Sequence, residues 1–328
     1  MTYMHVDITD LEIVDYIQRD PTISLKEISK EIRLSESTVQ RRWRRLTEEG
    51  LAWTGAALHP SASAGLFIKF SVQESHLASL LYKNDLVTVG RLPGVNRYFG
   101  LIIRDDLEKA LSALQDNYPE LRDADDLTVY PFVAIGGGVT WKQEIIDHPG
   151  LNTPLPLPLE DTPPPHRSFS PLDKKVFSAL SKDARASIRE ITAVVGASSS
   201  SVQRSRDRLL DDRVMVFRCD VARRKFDYKF SIVVSMRASQ DSARALVREL
   251  SEWSESRFCA EVISANNVVA VFGVRDAHLI SDLLSRIEKT HPTARIMDYE
   301  ICSGMEKVYG WVLDRRGHQI GHVTPQPW

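Results

Sequence analysis

Four arginines fall within five positions of the stretch LSESTVQRRWRRLTEEG, Leu34 to Gly50. They are Arg41, Arg42, Arg44 and Arg45, and Ser35, Ser37, Thr38 and Gln40 precede them. On a helix capped by Ser35, the residues Val39, Trp43 and Leu46 share one apolar face. The small polar residues and the arginines then take the outer face. Such a helix can enter a major groove, where Gln and Arg reach base edges and further arginines neutralise phosphates. The competing reading is a solvated basic face on a generic three-helix bundle.

A second stretch, Ala186 to Leu210, carries the same design. Val39-Gln40-Arg41 matches Val202-Gln203-Arg204 at an offset of 203 − 40 = 163. The same offset pairs Asp10 with Asp173, Ser24 with Ser187, Glu27 with Glu190 and Leu46 with Leu209. One fixed offset without a gap over about 40 residues is the mark of a duplication. The outer face of the second helix offers Ser199, Ser200, Ser201, Gln203, Arg204 and Arg208.

The elements that must hold these helices are legible too. Leu11, Val14 and Ile17 predict a first helix near Asp10 to Arg19, stopped by Asp20-Pro21. Ser24 and Glu27 form a capping box for a second helix, as do Ser187 and Glu190 in the other copy. The copies differ where Arg206 replaces Trp43 and Arg213 replaces Gly50. The second module is therefore expected to be weaker or its third helix rotated, and two unlike reading heads suit an asymmetric DNA site.

Composition sets the bounds. A chain of 328 residues, 43% hydrophobic and 26% charged, supports several small cores. A net charge of −2 excludes a globally basic protein but permits a local basic face. Cys219, Cys259 and Cys302 lie far apart with no metal-ligand spacing, which predicts buried thiols in a reducing cytosol. The N-terminus has no secretory pattern, and no apolar run approaches a membrane span, so a cytoplasmic location is expected with no membrane partner. No nucleophile elbow, phosphate loop or metal cluster stands out, and no catalytic residue, metal or cofactor is called for.

After each helical module the period changes. Leu66–Val72, Val87–Leu92, Val95–Ile103 and Leu127–Ile135 read as strands, with helices at Glu74–Lys83 and Asp105–Asn117. The second copy repeats the order with strands Lys229–Met236, Phe258–Ser264, Val268–Val274 and Ala294–Cys302. Its helices are Gln240–Trp253 and Ala277–Thr290. The fold class is α+β, a tandem repeat of winged or three-helix helix-turn-helix plus a ferredoxin-like βαββαβ domain. The expected domains are 1–56, 57–147, a proline-rich linker at 148–169, 170–222, 223–306 and a tail at 307–328. Trp311 and Trp328 in that tail either pack on the partner half or serve further oligomerisation.

The helix-turn-helix residues of Leu34–Gly50, followed by βαββαβ, resemble the Lrp/AsnC family of feast/famine regulators. The likeness spans nearly the whole chain, twice. Members usually carry one unit and dimerise through their sheets, so the resemblance implies an intrachain pseudo-dimer. It also implies three kinds of partner: double-stranded DNA, further copies through the βαββαβ domains, and a small effector such as an amino acid bound between those domains. The matching effector positions are Asn96, Tyr98, Gly100, Arg104, Asp105 and Asp106, and Asn266, Gly273, Arg275 and Asp276. An Arg-Asp pair can complement an amino acid's carboxylate and ammonium. Asp105 and Asp276 can equally be helix caps, and the two roles are compatible.

Two rival readings remain. Duplicated folds of this type occur in siroheme decarboxylases, for which Arg91, Arg97, His76 and His278 are the candidates. The other is a sensor or scaffold that does not bind DNA.

Overall fold

The computed structural model describes residues 6–122, 124, 126–136 and 169–328. The expected linker lies outside the described residues, apart from Phe169.

The first half opens with α1 (Ile8–Arg19), α2 (Leu25–Glu31) and α3 (Glu36–Glu48). A strand β1 (Ala52–Leu58) leads to β2 (Ala64–Ser71), α4 (Glu74–Leu81), β3 (Leu86–Arg91), β4 (Arg97–Arg104), α5 (Leu107–Asn117), α6 (Pro119–Arg122) and β5 (Thr128–Phe132). The second half begins with α7 (Pro171–Lys182), α8 (Ile188–Val195), α9 (Ser199–Asp211) and β6 (Met215–Val221). It continues through β7 (Phe230–Arg237), α10 (Gln240–Glu252), β8 (Ser256–Glu261), β9 (Val268–Val274), α11 (His278–Thr290) and β10 (Arg295–Cys302). The tail forms β11 (Gly304–Val308), β12 (Trp311–Leu313) and β13 (Gln319–His322). The architecture is α+β, duplicated.

The helix starts follow from sequence. Asp7, Ser24 and Ser35 cap α1, α2 and α3, and Ser170, Ser187 and Ser198 cap their counterparts. Each cap satisfies amides that the helix cannot. α1 starts two residues before the expected Asp10 because Asp7 and Asp10 form a capping box of their own.

Two turns need left-handed backbone, and the copies divide the glycines between them. In the turn before the third helix stand Arg33 (φ 57°) and Gly196 (φ 71°); after that helix stand Gly50 (φ 66°) and Arg213 (φ 53°). Gly50 has a steric reason as well: a Cβ there would lie 2.7 Å from the Gln319 carbonyl oxygen of β13.

In the first half the four ferredoxin-like strands run β3-β4-β2-β5, and in the second β10-β7-β9-β8. The tail adds β13-β12-β11 to the edge at β3, making a seven-stranded sheet. The two sheets pack face to face. Phe67 lies 5.4 Å from Phe99 and 5.7 Å from Phe258, which is also 5.7 Å from Phe132. Each such buried aromatic contributes about 2–3 kcal/mol. The outer faces carry their own cores, Ile68 and Ile102 beneath Leu77 and Ala110 in one half, Ile232 and Phe272 with Leu246 and Leu283 in the other. At the seam Lys69 is buried and pairs with Asp298 at 2.9 Å and Glu300 at 2.6 Å.

β1 and β6 form a separate antiparallel ladder, from Ala52 opposite Val221 to Leu58 opposite Met215. Every pair sums to 273, so Gly55 faces Arg218, its own counterpart at 55 + 163 = 218. A local two-fold axis passes through that pair. The chain therefore meets itself isologously, as a symmetric dimer would. Further links join the halves near the helical modules: Thr54 donates to Asp183 at 2.9 Å, and Arg185 donates to the Pro21 carbonyl at 2.8 Å.

Candidate nucleic-acid interface and effector groove

The third helix of each module presents a polar face. On α3, Val39, Trp43 and Leu46 are buried, while Ser35, Ser37, Gln40, Arg41 and Arg44 are exposed and Thr38 is half-buried. Gln40 donates to Glu36 at 2.9 Å. Arg42 and Arg45 point elsewhere. Arg42 reaches Asp7 at 2.8 Å and Asp10 at 2.9 Å, and Arg45 pairs with the same Asp10, which is fully buried. These two arginines tie α3 to the start of α1. Burial opposes ionisation of Asp7, but the Arg42 guanidinium outweighs it and holds the carboxyl below its usual value.

In α9 the inward residues are Val202, Ser205 and Leu209. Ser205, the counterpart of Arg42, donates to Asp173 at 2.5 Å, and Arg208 pairs with Asp173 as Arg45 does with Asp10. Burial would raise Asp173, yet the bonds from Ser170, Ser205 and Arg208 leave it lowered. Arg206, in the place of Trp43, is half-buried beside Asp207 at 3.0 Å. Ser199, Ser200 and Arg204 are exposed, Ser201 and Gln203 half-buried, and Gln203 donates to Asp207 at 2.6 Å. Asp10 and Asp173 are the residues missed from sequence. Their signal was present, since both match at the repeat offset and each faces an arginine thirty-five residues later.

The positions expected at the effector site separate. Tyr98 is buried in the core beneath α4, 5.8 Å from Phe70, and a Cβ on Gly100 would meet Leu86 at 2.8 Å in that same core. Asn96 holds the left-handed turn between β3 and β4, where its carbonyl accepts from the Val72 amide at 3.1 Å. Arg104 pairs with Asp85 at 2.8 Å and donates to the Trp328 carbonyl at 2.8 Å. The Asp105 amide donates to the Pro327 carbonyl at 2.7 Å, and its carboxylate takes Lys109 at 2.8 Å. Asp106, rather than Asp105, caps α5. The tail thus occupies this part of the first half. Trp328 rests 5.3 Å from Phe169 and 6.0 Å from Phe177 of the second helical module, while Trp311 lies 6.1 Å from Trp53 of the first half.

The second half keeps an open groove at the matching place, about 460 Å³ in volume. Gly273 and Arg275 line it together with Tyr228, Glu255, Asp282 and Arg286. Arg286 pairs with Glu255 at 2.8 Å and lies over Trp253, and Arg275 lies over Tyr228 at 5.2 Å. Asp276 accepts from the His278 amide at 3.2 Å, close to the start of α11, and Asn266 is half-buried in the β8–β9 turn. A cavity of about 360 Å³ at the meeting of the halves is lined by Arg91, Arg223, Arg224, Glu306, Asp314 and Arg315 among others.

Residues 6–51 and 169–214 each match the winged helix-turn-helix DNA-binding family. The HTH-type transcriptional regulator Ptr1 of Methanocaldococcus jannaschii is 29% identical over 141 residues, 40% of this chain and 87% of Ptr1. The siroheme decarboxylase NirDL has the same tandem fold, with a TM-score of 0.53 at 11% identity over 94% of this chain and 96% of that one. The leucine response regulatory protein LrpA of Mycobacterium tuberculosis aligns with 40% of this chain and 90% of its own, at 23% identity and a TM-score of 0.36.

Two winged helix-turn-helix modules thus stand on a duplicated α+β scaffold. No described helix is long and apolar enough to cross a membrane.

Proposed function

We propose that the chain is a sequence-specific transcriptional regulator that binds double-stranded DNA with both helical modules and answers to a small effector, an amino acid being the class that fits. The observation that carries this reading is the pairing of two winged modules about the Gly55–Arg218 axis. Two heads related by a two-fold suit two half-sites of an imperfect palindrome. Ser37, Gln40, Arg41 and Arg44 read one half-site, and Ser200 and Arg204 contact the other. Arg42 and Arg45 act by setting the tilt of α3.

The groove at Gly273 and Arg275 is the effector site in this proposal. Its paired charges, Arg275 and Arg286 beside Glu255 and Asp282, match a zwitterion. Self-association uses the open edge at β10, where Met297, Tyr299 and Ile301 are exposed. Replacing Arg41 and Arg44 by Ala tests the DNA reading. Affinity falls at least tenfold and the dependence on salt flattens by about two phosphate contacts. Unchanged affinity and slope overturn it.

A second reading follows from the fold shared with siroheme decarboxylase. The four tetrapyrrole candidates give it little support. Arg91 is paired with Glu306 at 2.8 Å and Arg97 with Glu300 at 2.8 Å, while His76 and His278 are exposed on α4 and α11. Haem titration discriminates: a saturable Soret band at one equivalent supports the tetrapyrrole reading, and its absence supports the regulator.

A further inference from the structure

The charges of the 360 Å³ cavity at the meeting of the halves do not balance. Arg224 and Lys229, from the segment between β6 and β7, and Arg315, from the turn between β12 and β13, are exposed at its rim. With Arg91 and Arg223 they make five cationic side chains against two carboxylates, Glu306 and Asp314. Both carboxylates are already engaged. Glu306 takes Arg91 at 2.8 Å, and Asp314 accepts from the Arg316 amide at 2.8 Å and the His318 amide at 2.9 Å. Arg224 donates to the neutral Ser303 carbonyl at 2.5 Å. Arg315 meets Glu74 only at 3.5 Å between exposed groups, which contributes little. A concave surface with one sign of charge in excess draws in the opposite ion.

Val221, Arg223 and Met305 also wall a second compartment of about 60 Å³, which lies between the two sheets. Phe99 and Leu101 of β4 form one side of it, and Phe258 of β8 and Val271 of β9 form the other. All four belong to the core between the halves. The space admits roughly four water-sized groups, enough for part of a hydrocarbon chain. Arg223 and Arg257 are fixed in the walls: Arg223 donates to Ser231, and Arg257 to the Ser254 and Ser256 carbonyls at 2.6 and 2.7 Å. Burial lowers the pKa of both, that of Arg257 to about 9, and an anion nearby favours the charged form of each.

We propose that this two-part cavity binds an apolar monocarboxylic acid, its carboxylate at Arg224, Lys229 and Arg315 and its hydrocarbon tail between Phe99 and Phe258. The head gains charge-assisted hydrogen bonds, and each methylene buried by the tail strengthens binding about fourfold. A zwitterionic amino acid suits this cavity poorly, because its ammonium meets the excess of cations. The groove at Gly273 is a separate space, with Tyr228 on the wall of both. Arg218 and Asp220 of β6 also line the inner compartment, so the tail abuts the ladder that joins the two winged modules.

The amphipathic anion 8-anilino-1-naphthalenesulfonate, added to the full chain without DNA, is the probe. It is expected to bind at one equivalent with blue-shifted emission, and octanoate displaces it. Acetate, which lacks the tail, and octanol, which lacks the charge, each need at least a tenfold higher concentration. Absence of saturable binding, or displacement by acetate or octanol as readily as by octanoate, overturns the proposal. Two variants locate the site. In the R224E/K229E chain, altered only at exposed positions, affinity for the probe and for octanoate falls at least tenfold while the melting temperature is unchanged. Tyr299→Ser, on the exposed face of β10, leaves both affinities as they were. Parental affinity in R224E/K229E, or an equal loss in the Tyr299 variant, also overturns it.

Discussion

Gly55 stands directly opposite Arg218 in the β1–β6 ladder, and the two are the same position of the duplicated unit. They are nevertheless unlike residues. A Cβ on Gly55 would lie 2.6 Å from the Ser181 carbonyl oxygen of α7, so a side chain has no room. Arg218 is buried, holds Asp220 with two bonds at 2.5 Å, and stacks on Tyr309 with its guanidinium 3.5 Å from the ring centre. The Gly55→Ala chain is expected to lose about 1–3 kcal/mol, through displacement of α7. Urea unfolding measures the loss; an unchanged midpoint would contradict the close packing at the axis.

Arg42 and Arg44 are separated by two positions and are expected to fail differently. Arg44 is exposed, whereas Arg42 reaches the buried Asp10. Arg44→Ala leaves the melting temperature within error and weakens DNA binding. Arg42→Ala lowers stability by roughly 1–3 kcal/mol, because Asp10 loses one of its two guanidinium partners. Calorimetry and anisotropy on both variants check the split.

Lys307 is fully buried, and its ammonium donates to the Lys83 carbonyl at 2.8 Å. Burial pushes its pKa down to about 7 from an ordinary 10.5. The unfolded chain therefore holds this proton to higher pH than the folded one. The stability deficit is full below pH 7 and shrinks as pH rises to about 10.5, an effect on the order of a few kcal/mol. Lys307→Met removes the rise in stability between pH 7 and 10. Equal slopes of melting temperature against pH in both chains would contradict this.

The three thiols are buried, and burial pushes Cys259 up to about 12 and raises Cys219 and Cys302. A thiol-disulfide reagent at pH 8 is expected to find none of them in the folded chain and all three in denaturant. Rapid reaction of one thiol under native conditions would locate a local opening.

Much of the fold was legible in the sequence because short-range chemistry repeats. Ser24 with Glu27, and Ser187 with Glu190, announce the same helix start twice, and the strands of each sheet change period where the helices end. β1 was not legible, since AWTGAAL is buried on both sides along its length and shows no polar alternation. Its partner lies 163 residues away, and only the fold brings the two together. The tail strands were hidden for a similar reason: they complete the sheet of the other half. The site was less legible than the fold. The residue type of Arg42 said nothing about Asp7 and Asp10 beside it. Arg104 and Asp105 resembled effector ligands, and only three-dimensional structure revealed the C-terminal segment against them.

The most direct test of the central claim is fluorescence anisotropy of the full chain on its own upstream DNA, at two salt concentrations and against a scrambled duplex. Tight binding that favours the upstream sequence and weakens steeply with salt is the expected result. Equal, weak binding to both duplexes at low salt would contradict a sequence-specific regulator.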